Sequence, residues 1–302
     1  MTTLLHVLPV GLSLLNSLDG GHMAEAAHAL STVDGAASAD DTVAARLRRA
    51  SDATTHVLDI AELIGAESLE ALAGADAAEC SEWTSVRLVA SGAAVNSRAY
   101  VLIASDTEPG LRAATLVAAR YATGSVVRYV ADPASGPVVI EPGTVTVYRI
   151  PNLDIQRGLP NDLTWRALGA VGHAVATTTG DAIRDRWDVV LHLSGGYKAM
   201  VPYLLVMAEG VNSVFRHHSA GLADRQPSLR AVTTHETNKN QLIDVPVRYL
   251  DGTLFELAKK LKVHLDGKAW TSDTRRWDLL RGLILDDRHH LTALGTILVN
   301  VL

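Results

Sequence analysis

Short apolar runs alternate with longer stretches of helical periodicity along most of the chain. Leu4–Val10 has the continuous apolar character of a buried strand, and residues 11–21 read as a loop running into a helix. Residues 36–50 and 59–75 are Ala-rich with charges at helical spacing, which predicts two helices. Ser85–Ala90 is expected as a short second strand. Arg98–Ala104 (RAYVLIA) is a further buried strand. The following SDTEPG caps a helix over Leu111–Tyr121, with Asp106 or Thr107 as N-cap and Glu108 in the first turn. Val126–Val130 and Val138–Val147 read as strands either side of a turn at Asp132–Pro137. Leu163–Thr178 predicts a helix and Trp187–Leu193 (WDVVLHL) a strand. SGGYK then breaks the pattern, and Ala199–Glu209 resumes as a helix.

Strand–loop–helix units therefore recur to about Val211, the pattern of a parallel sheet covered on both faces. Leu229–His235 and Leu242–Tyr249 straddle the turn-prone ETNKNQ and predict an antiparallel β-hairpin. Asp251–Leu302 reads as mostly helical. The expected fold is α/β: a Rossmann-like, mostly parallel sheet with helices on both faces, then a β-hairpin and a short C-terminal helical segment. The expected division is 1–250 and 251–302, the second part too short for an independent catalytic domain.

Composition narrows the classes. The 302 residues are 48% hydrophobic and 20% charged, a globular mix that excludes a disordered chain. Cys80 is the only cysteine, so no disulfide framework exists within the chain and a reducing compartment, the cytoplasm, is expected. The N-terminal run has no basic flank and is broken by Pro9 and Gly11, unlike a signal peptide. No apolar stretch approaches the ~20 residues a bilayer requires. A net charge of −6 argues against duplex nucleic acid as partner, but a small anion needs only a local pocket.

In a doubly wound sheet the ligand sits beyond the carboxyl ends of the strands. Three strand-end loops qualify here: Gly11-Leu12-Ser13-Leu14-Leu15-Asn16, Ser105-Asp106-Thr107 and Ser194-Gly195-Gly196-Tyr197-Lys198. Each feeds a helix N-terminus, whose unpaired N–H groups and partial positive charge suit phosphate. Gly195 and Gly196 allow close backbone approach, and Lys198 adds a full charge. Each loop also has a purely structural reading, as a turn or a helix cap. Known fingerprints are missing: there is no GxxxxGK[ST], no GxGxxG after the first strand and no GxSxG. None of the twelve histidines forms HExxH or a Cys/His cluster, so neither metal nor other cofactor is expected. The adjacent pairs His217-His218 and His289-His290 read as surface residues.

In order, the strand leading into GLSLLN, VLIASDTEPGLRAATLVA, RIPNLDIQRGL and VVLHLSGGYKAMVPYLLVMA resemble the CARF (CRISPR-associated Rossmann fold) family. The similarity is to its stand-alone ring nucleases and to the sensor domains of its HEPN ribonucleases. It covers most of residues 1–250, and LRAVTTHETNKNQLIDVPVRYL resembles the segment that follows the last loop in that family. Leu12, His192, Ser194 and Tyr197 depart from the family's usual residues, while the glycines and Lys198 are kept. The resemblance implies a homodimer that binds cyclic oligoadenylate, most commonly the tetra-adenylate ring, across its two-fold axis. It implies Ser13 and Lys198 as the catalytic pair, with the remaining loop residues and His192 as ligand contacts. The implied chemistry is metal-free attack of a ribose 2′-hydroxyl on the adjacent phosphorus, giving linear di-adenylate with a 2′,3′-cyclic phosphate. This would end type III CRISPR signalling.

The R-x4–6-H signature of the HEPN ribonuclease occurs at scattered positions, among them Arg230–His235 and Arg186–His192, and nowhere after residue 250. LTALGTILVNVL resembles the last part of a winged helix, expected here as a degenerate one packed on the core. The alternative is a binding-only sensor, or a ligand-controlled regulator acting through that segment.

Overall fold

The computed structural model describes residues 2–11, 47, 56–60, 63–64, 70, 72, 81–90, 97–122, 126–135, 140–153, 161–180, 186–195, 198–218, 227–234, 241–267, 278–286, 288 and 290–302. Its strands are β1 (Thr2–Pro9), β2 (His56–Leu58), β3 (Ser97–Ala104), β4 (Val126–Val130), β5 (Thr144–Arg149), β6 (Arg186–His192), β7 (Ser228–Thr234) and β8 (Leu242–Val245). Its helices are α1 (Ser81–Ala90), α2 (Glu108–Tyr121), α3 (Asp162–Gly180), α4 (Val201–His218), α5 (Gly252–Gly267) and α6 (Ala293–Val301).

The strands form one sheet in the order β2-β4-β5-β3-β1-β6-β7-β8. From β4 to β7 every neighbour is parallel, and β2 and β8 close the two edges antiparallel. From β1 the chain goes to the far edge at β2, fills that side with β3, β4 and β5, then crosses to β6 on the other side of β1. The topological switch point thus lies beside β1. Side chains alternate across the sheet. Leu5 and Val7 of β1 join Val101, Val189 and Leu191 against α3, α4, α5 and α6. Leu8 joins Leu102 and Val147 against Trp83 and Val86 of α1 and Leu116 and Val117 of α2. Both faces are buried, which explains why the central strands read as unbroken apolar runs.

The C-terminal segment belongs to the first of these cores, through Phe255, Leu261, Ile284 and Ile297. Helix α6 lies in a notch cut by glycines of α3 and α4. A Cβ on Gly169 would fall 2.4 Å from Asn300 Cβ, and one on Gly210 would fall 2.9 Å from Val301 Cγ1. His173 Nδ1 meets the Val301 carbonyl at 2.9 Å.

Several boundaries differ from the sequence expectation. Ser85–Ala90 is the end of α1, not a strand: Trp83, Val86 and Val89 recur every three residues and bury one helical stripe. The strand expected at Val138–Val147 starts later, at Thr144, because Gly143 turns the chain with φ 76° just before it. The helix expected over Ala199–Glu209 runs from Val201 to His218, and Lys198 lies ahead of it in a 3-10 turn, Lys198–Met200. His217 is half-buried and engaged: it stacks on Phe255 at 4.3 Å, and its Nε2 meets the Leu250 carbonyl at 2.8 Å. The helices expected at 36–50 and 59–75 lie mostly outside the described residues, although Leu47, Ile60, Leu63, Ile64 and Leu72 are helical and buried. No described helix is long and apolar enough to cross a membrane.

Candidate functional site

Strands β1 and β6 are hydrogen-bonded neighbours, so their following loops leave the sheet side by side. After β1 the chain runs through Val10, whose N–H donates to Ile103 O at 2.9 Å, to Gly11. Gly11 N–H donates to Glu82 Oε1 at 3.0 Å. After β6, Leu193 N–H donates to Val232 O at 2.7 Å. Ser194 Oγ accepts the Thr234 N–H at 2.8 Å, which ties the loop to the end of β7. Gly195 then passes so close to Glu82 that an added Cβ would lie 2.4 Å from Oε1. A side chain there would have to displace the Glu82 carboxylate.

Beyond these ends lies a cavity of about 670 Å³, within the range of small-molecule sites. Ser81 and Thr84 of α1, Ser194, and Thr233 and Thr234 of β7 bring hydroxyls to its wall. Lys198 brings a cation, and Leu193, Val201, Leu205 and Val245 form an apolar surface. Hydroxyls beside a lysine suit a ligand with phosphodiester and ribose oxygens, and the apolar part suits a flat base.

The expected site residues separate into four groups, His192 standing alone. Ser194 and Lys198 line this cavity, and Gly11 and Gly195 both meet Glu82 beside it. Leu12, Ser13, Asn16, Gly196 and Tyr197 lie outside the described residues. Ser105, Asp106 and Thr107 are engaged elsewhere. Thr107 is the N-cap of α2, accepting the Gly110 N–H at 3.1 Å, and its hydroxyl meets Ser105 Oγ at 2.9 Å. Asp106 accepts from Arg149 Nε at 2.7 Å and from the Asn152 N–H at 3.1 Å, and its own N–H donates to Leu153 O. Asn152 sits at φ 57°, the left-handed conformation that asparagine tolerates. Asp106 latches the end of β3 to the end of β5, while Ser105 and Thr107 tie it to the start of α2.

His192, expected as a ligand contact, is buried in the core and uses both ring nitrogens internally. Its Nε2 meets His6 Nδ1 and its Nδ1 meets Ser85 Oγ, each at 2.9 Å. Ser85 Oγ–H donates to the Glu82 carbonyl at 3.0 Å, so it accepts from His192 Nδ1–H. His192 Nε2 therefore accepts from His6 Nδ1–H, and one tautomer is assigned to each ring. His6 Nε2 has no hydrogen-bond partner among the described residues. Burial pushes His6 down to about 3, aided by the Arg98 charge, and burial followed by repulsion from His6 holds His192 well below the usual histidine range. Both rings are neutral at pH 7.

Glu82, Thr84, Thr233 and Thr234 were not among the expected site residues. Glu82 sits in SEWTSVRLVA, where the spacing of Trp83, Val86 and Val89 would have revealed a helix beginning beside a strand end. Thr233 and Thr234 reach the cavity only because β7 lies parallel to β6, which no local pattern records. Among the described residues no group of three His, Cys, Asp or Glu could hold a metal ion. The chain matches no family model and no curated protein.

Proposed function

We propose that the protein binds cyclic oligoadenylate, most commonly the tetra-adenylate ring, in this crevice and opens it by metal-free attack of a ribose 2′-hydroxyl. The observation that carries the reading is the grouping of Lys198, Ser194 and four further hydroxyl side chains around a cavity at the carboxyl ends of β6 and β7. The order of motifs in the sequence supplies the identity of the ligand. In this reading Lys198 neutralises charge that develops on the phosphoryl oxygens as the 2′-oxygen adds, its proton passing to water, and the 5′-oxygen leaves and takes up a proton from water. Ser13 positions the attacking hydroxyl, and the backbone at Gly195 and Gly196 adds donors. The working unit is a cytoplasmic homodimer, whose two-fold axis matches the symmetry of the ring.

A second reading, a sensor that binds the ring and acts through its C-terminal segment, draws on α4. Val201 and Leu205 of this helix line the cavity, and two turns later Gly210 packs on Val301 of α6. One rigid element thus joins the ligand cavity to the end of the chain.

A cleavage assay in EDTA decides between the two. Linear di-adenylate with a 2′,3′-cyclic phosphate, lost in Lys198→Ala, is the expected product. Intact tetra-adenylate ring co-eluting with the protein selects the sensor. Failure to bind either the tetra- or the hexa-adenylate ring overturns both.

A further inference from the structure

The place where a strand-end anion site draws its donors is already filled, by the chain's own Glu82. This residue is 1% exposed and stands second in α1, where first-turn N–H groups and the helix dipole favour a negative charge. One carboxylate oxygen accepts the Gly11 N–H at 3.0 Å, and the other accepts the Ser81 hydroxyl at 2.9 Å. The same carboxylate packs on Gly195, with no room for a Cβ between them. These contacts come from the loop after β1, the loop after β6 and the start of α1. Ser81 also lines the cavity, so the carboxylate is one hydroxyl removed from the ligand space.

We propose that Glu82 is a positioning residue that holds the Gly11 and Gly195 loops together as a built-in anion, and so directs a bound phosphate away from β1 toward Lys198. The inference rests on the phosphate-binding reading of the crevice but not on the identity of the ring. It assigns a specificity role as well. A second negative group is repelled from the β1 side of the crevice, so the ligand's phosphate lies over β6 and β7.

Glu82→Gln tests this, because it keeps the size of the side chain and a carbonyl for Gly11 N–H and removes the charge, with Ser81 Oγ turning from donor to acceptor of the new amide N–H. Pyrophosphate is the probe, titrated at constant ionic strength against wild type, Glu82→Gln and Glu82→Asp. Binding by Glu82→Gln is expected to tighten roughly tenfold over wild type, while Glu82→Asp, which keeps the charge, gains nothing. Equal affinity in wild type and Glu82→Gln, including no binding by either, overturns the proposal. If Glu82→Gln does not fold, Glu82→Ala is refolded in acetate and in chloride at equal ionic strength. Recovery in acetate alone is expected, since acetate fills the vacated seat, and equal behaviour in the two salts overturns the proposal. Cyclic tetra-adenylate run in parallel separates this inference from the one it rests on. If the ring binds no variant while pyrophosphate distinguishes Gln from Glu, the oligoadenylate reading falls and the role of Glu82 stands.

Discussion

The loops after β3 and β6 begin from one sequence signature and end in opposite chemistry. Each follows an apolar strand, each opens within two residues on a serine, and each leads toward a helix. After β3, the Asp106 carboxylate and the Ser105 and Thr107 hydroxyls all bond to other groups of the protein. After β6, Ser194 and Lys198 line a cavity, Ser194 while also accepting the Thr234 N–H. The difference comes from the neighbouring strand. β5 delivers Arg149 beside the end of β3, and this counter-charge captures Asp106. β7 delivers Thr233 and Thr234 beside the end of β6, which add hydroxyls to the wall. A polar strand-end loop is thus a latch or a site according to what the adjacent strand brings to it.

The sharpest way to break this contrast is Lys198→Ala. On the proposed reading ring opening falls on the order of 10²–10³-fold. The residue is exposed, so the urea unfolding free energy should change by no more than about 0.5 kcal/mol. A variant that keeps its turnover would remove the distinction between the two loops.

The support beneath the loops differs as well. The β1/β6 crevice rests on the neutral pair His6 and His192, whereas the β3/β5 latch rests on a charged pair. The folded-state value of His6 is lowered, so its contribution is fully present above the unfolded value of about 6.5 and is lost as pH falls toward 3. The loss is about 1.4 kcal/mol per pH unit, or about 3 kcal/mol between pH 6.5 and 4.5. His192 acts in the same direction. Urea unfolding at several pH values should show a steeper acid loss in wild type than in the double variant His6→Leu, His192→Leu. Parallel slopes would mean that the pair is already charged in the folded protein.

The parallel sheet was legible in the sequence because its strands are buried on both faces and read as apolar runs whatever their neighbours. The hairpin was legible because ETNKNQ separates two short apolar strands. Helix α1 was not, since only its second half was read and VRLVA alone fits either period. The site was half legible for a physical reason. Glycines and a lysine after a strand mark a place where backbone and charge meet a ligand, so Gly195 and Lys198 stood out. A hydrogen-bond partner across the sheet leaves no local trace. The bonds of Asp106 to Arg149 and of His192 to His6 therefore could not be read from the sequence.

Asp106→Asn sharpens the latch side. The Asp106 and Arg149 side chains are 13% and 21% exposed, so Arg149 would be left partly buried without its counter-charge. A loss of about 2 kcal/mol in the urea unfolding free energy is expected, with ligand affinity per folded molecule unchanged. A drop in affinity without a drop in stability would return Asp106 to the binding site.

The smallest effect is expected from Thr107→Ala, and it is also the most specific test of the latch. The Thr107 hydroxyl accepts the Gly110 N–H and meets Ser105, an inventory that a helix cap explains completely. Removing the oxygen leaves one first-turn donor without its partner and costs about 1 kcal/mol. Thr107→Ser, which restores an oxygen at the same atom, should recover most of that loss. The ring affinity of Thr107→Ala should match wild type once the unfolded fraction is allowed for. If instead affinity falls while the unfolding free energy holds, the cap is dispensable and the hydroxyl belongs to the ligand. The loops after β3 and β6 would then form one continuous site.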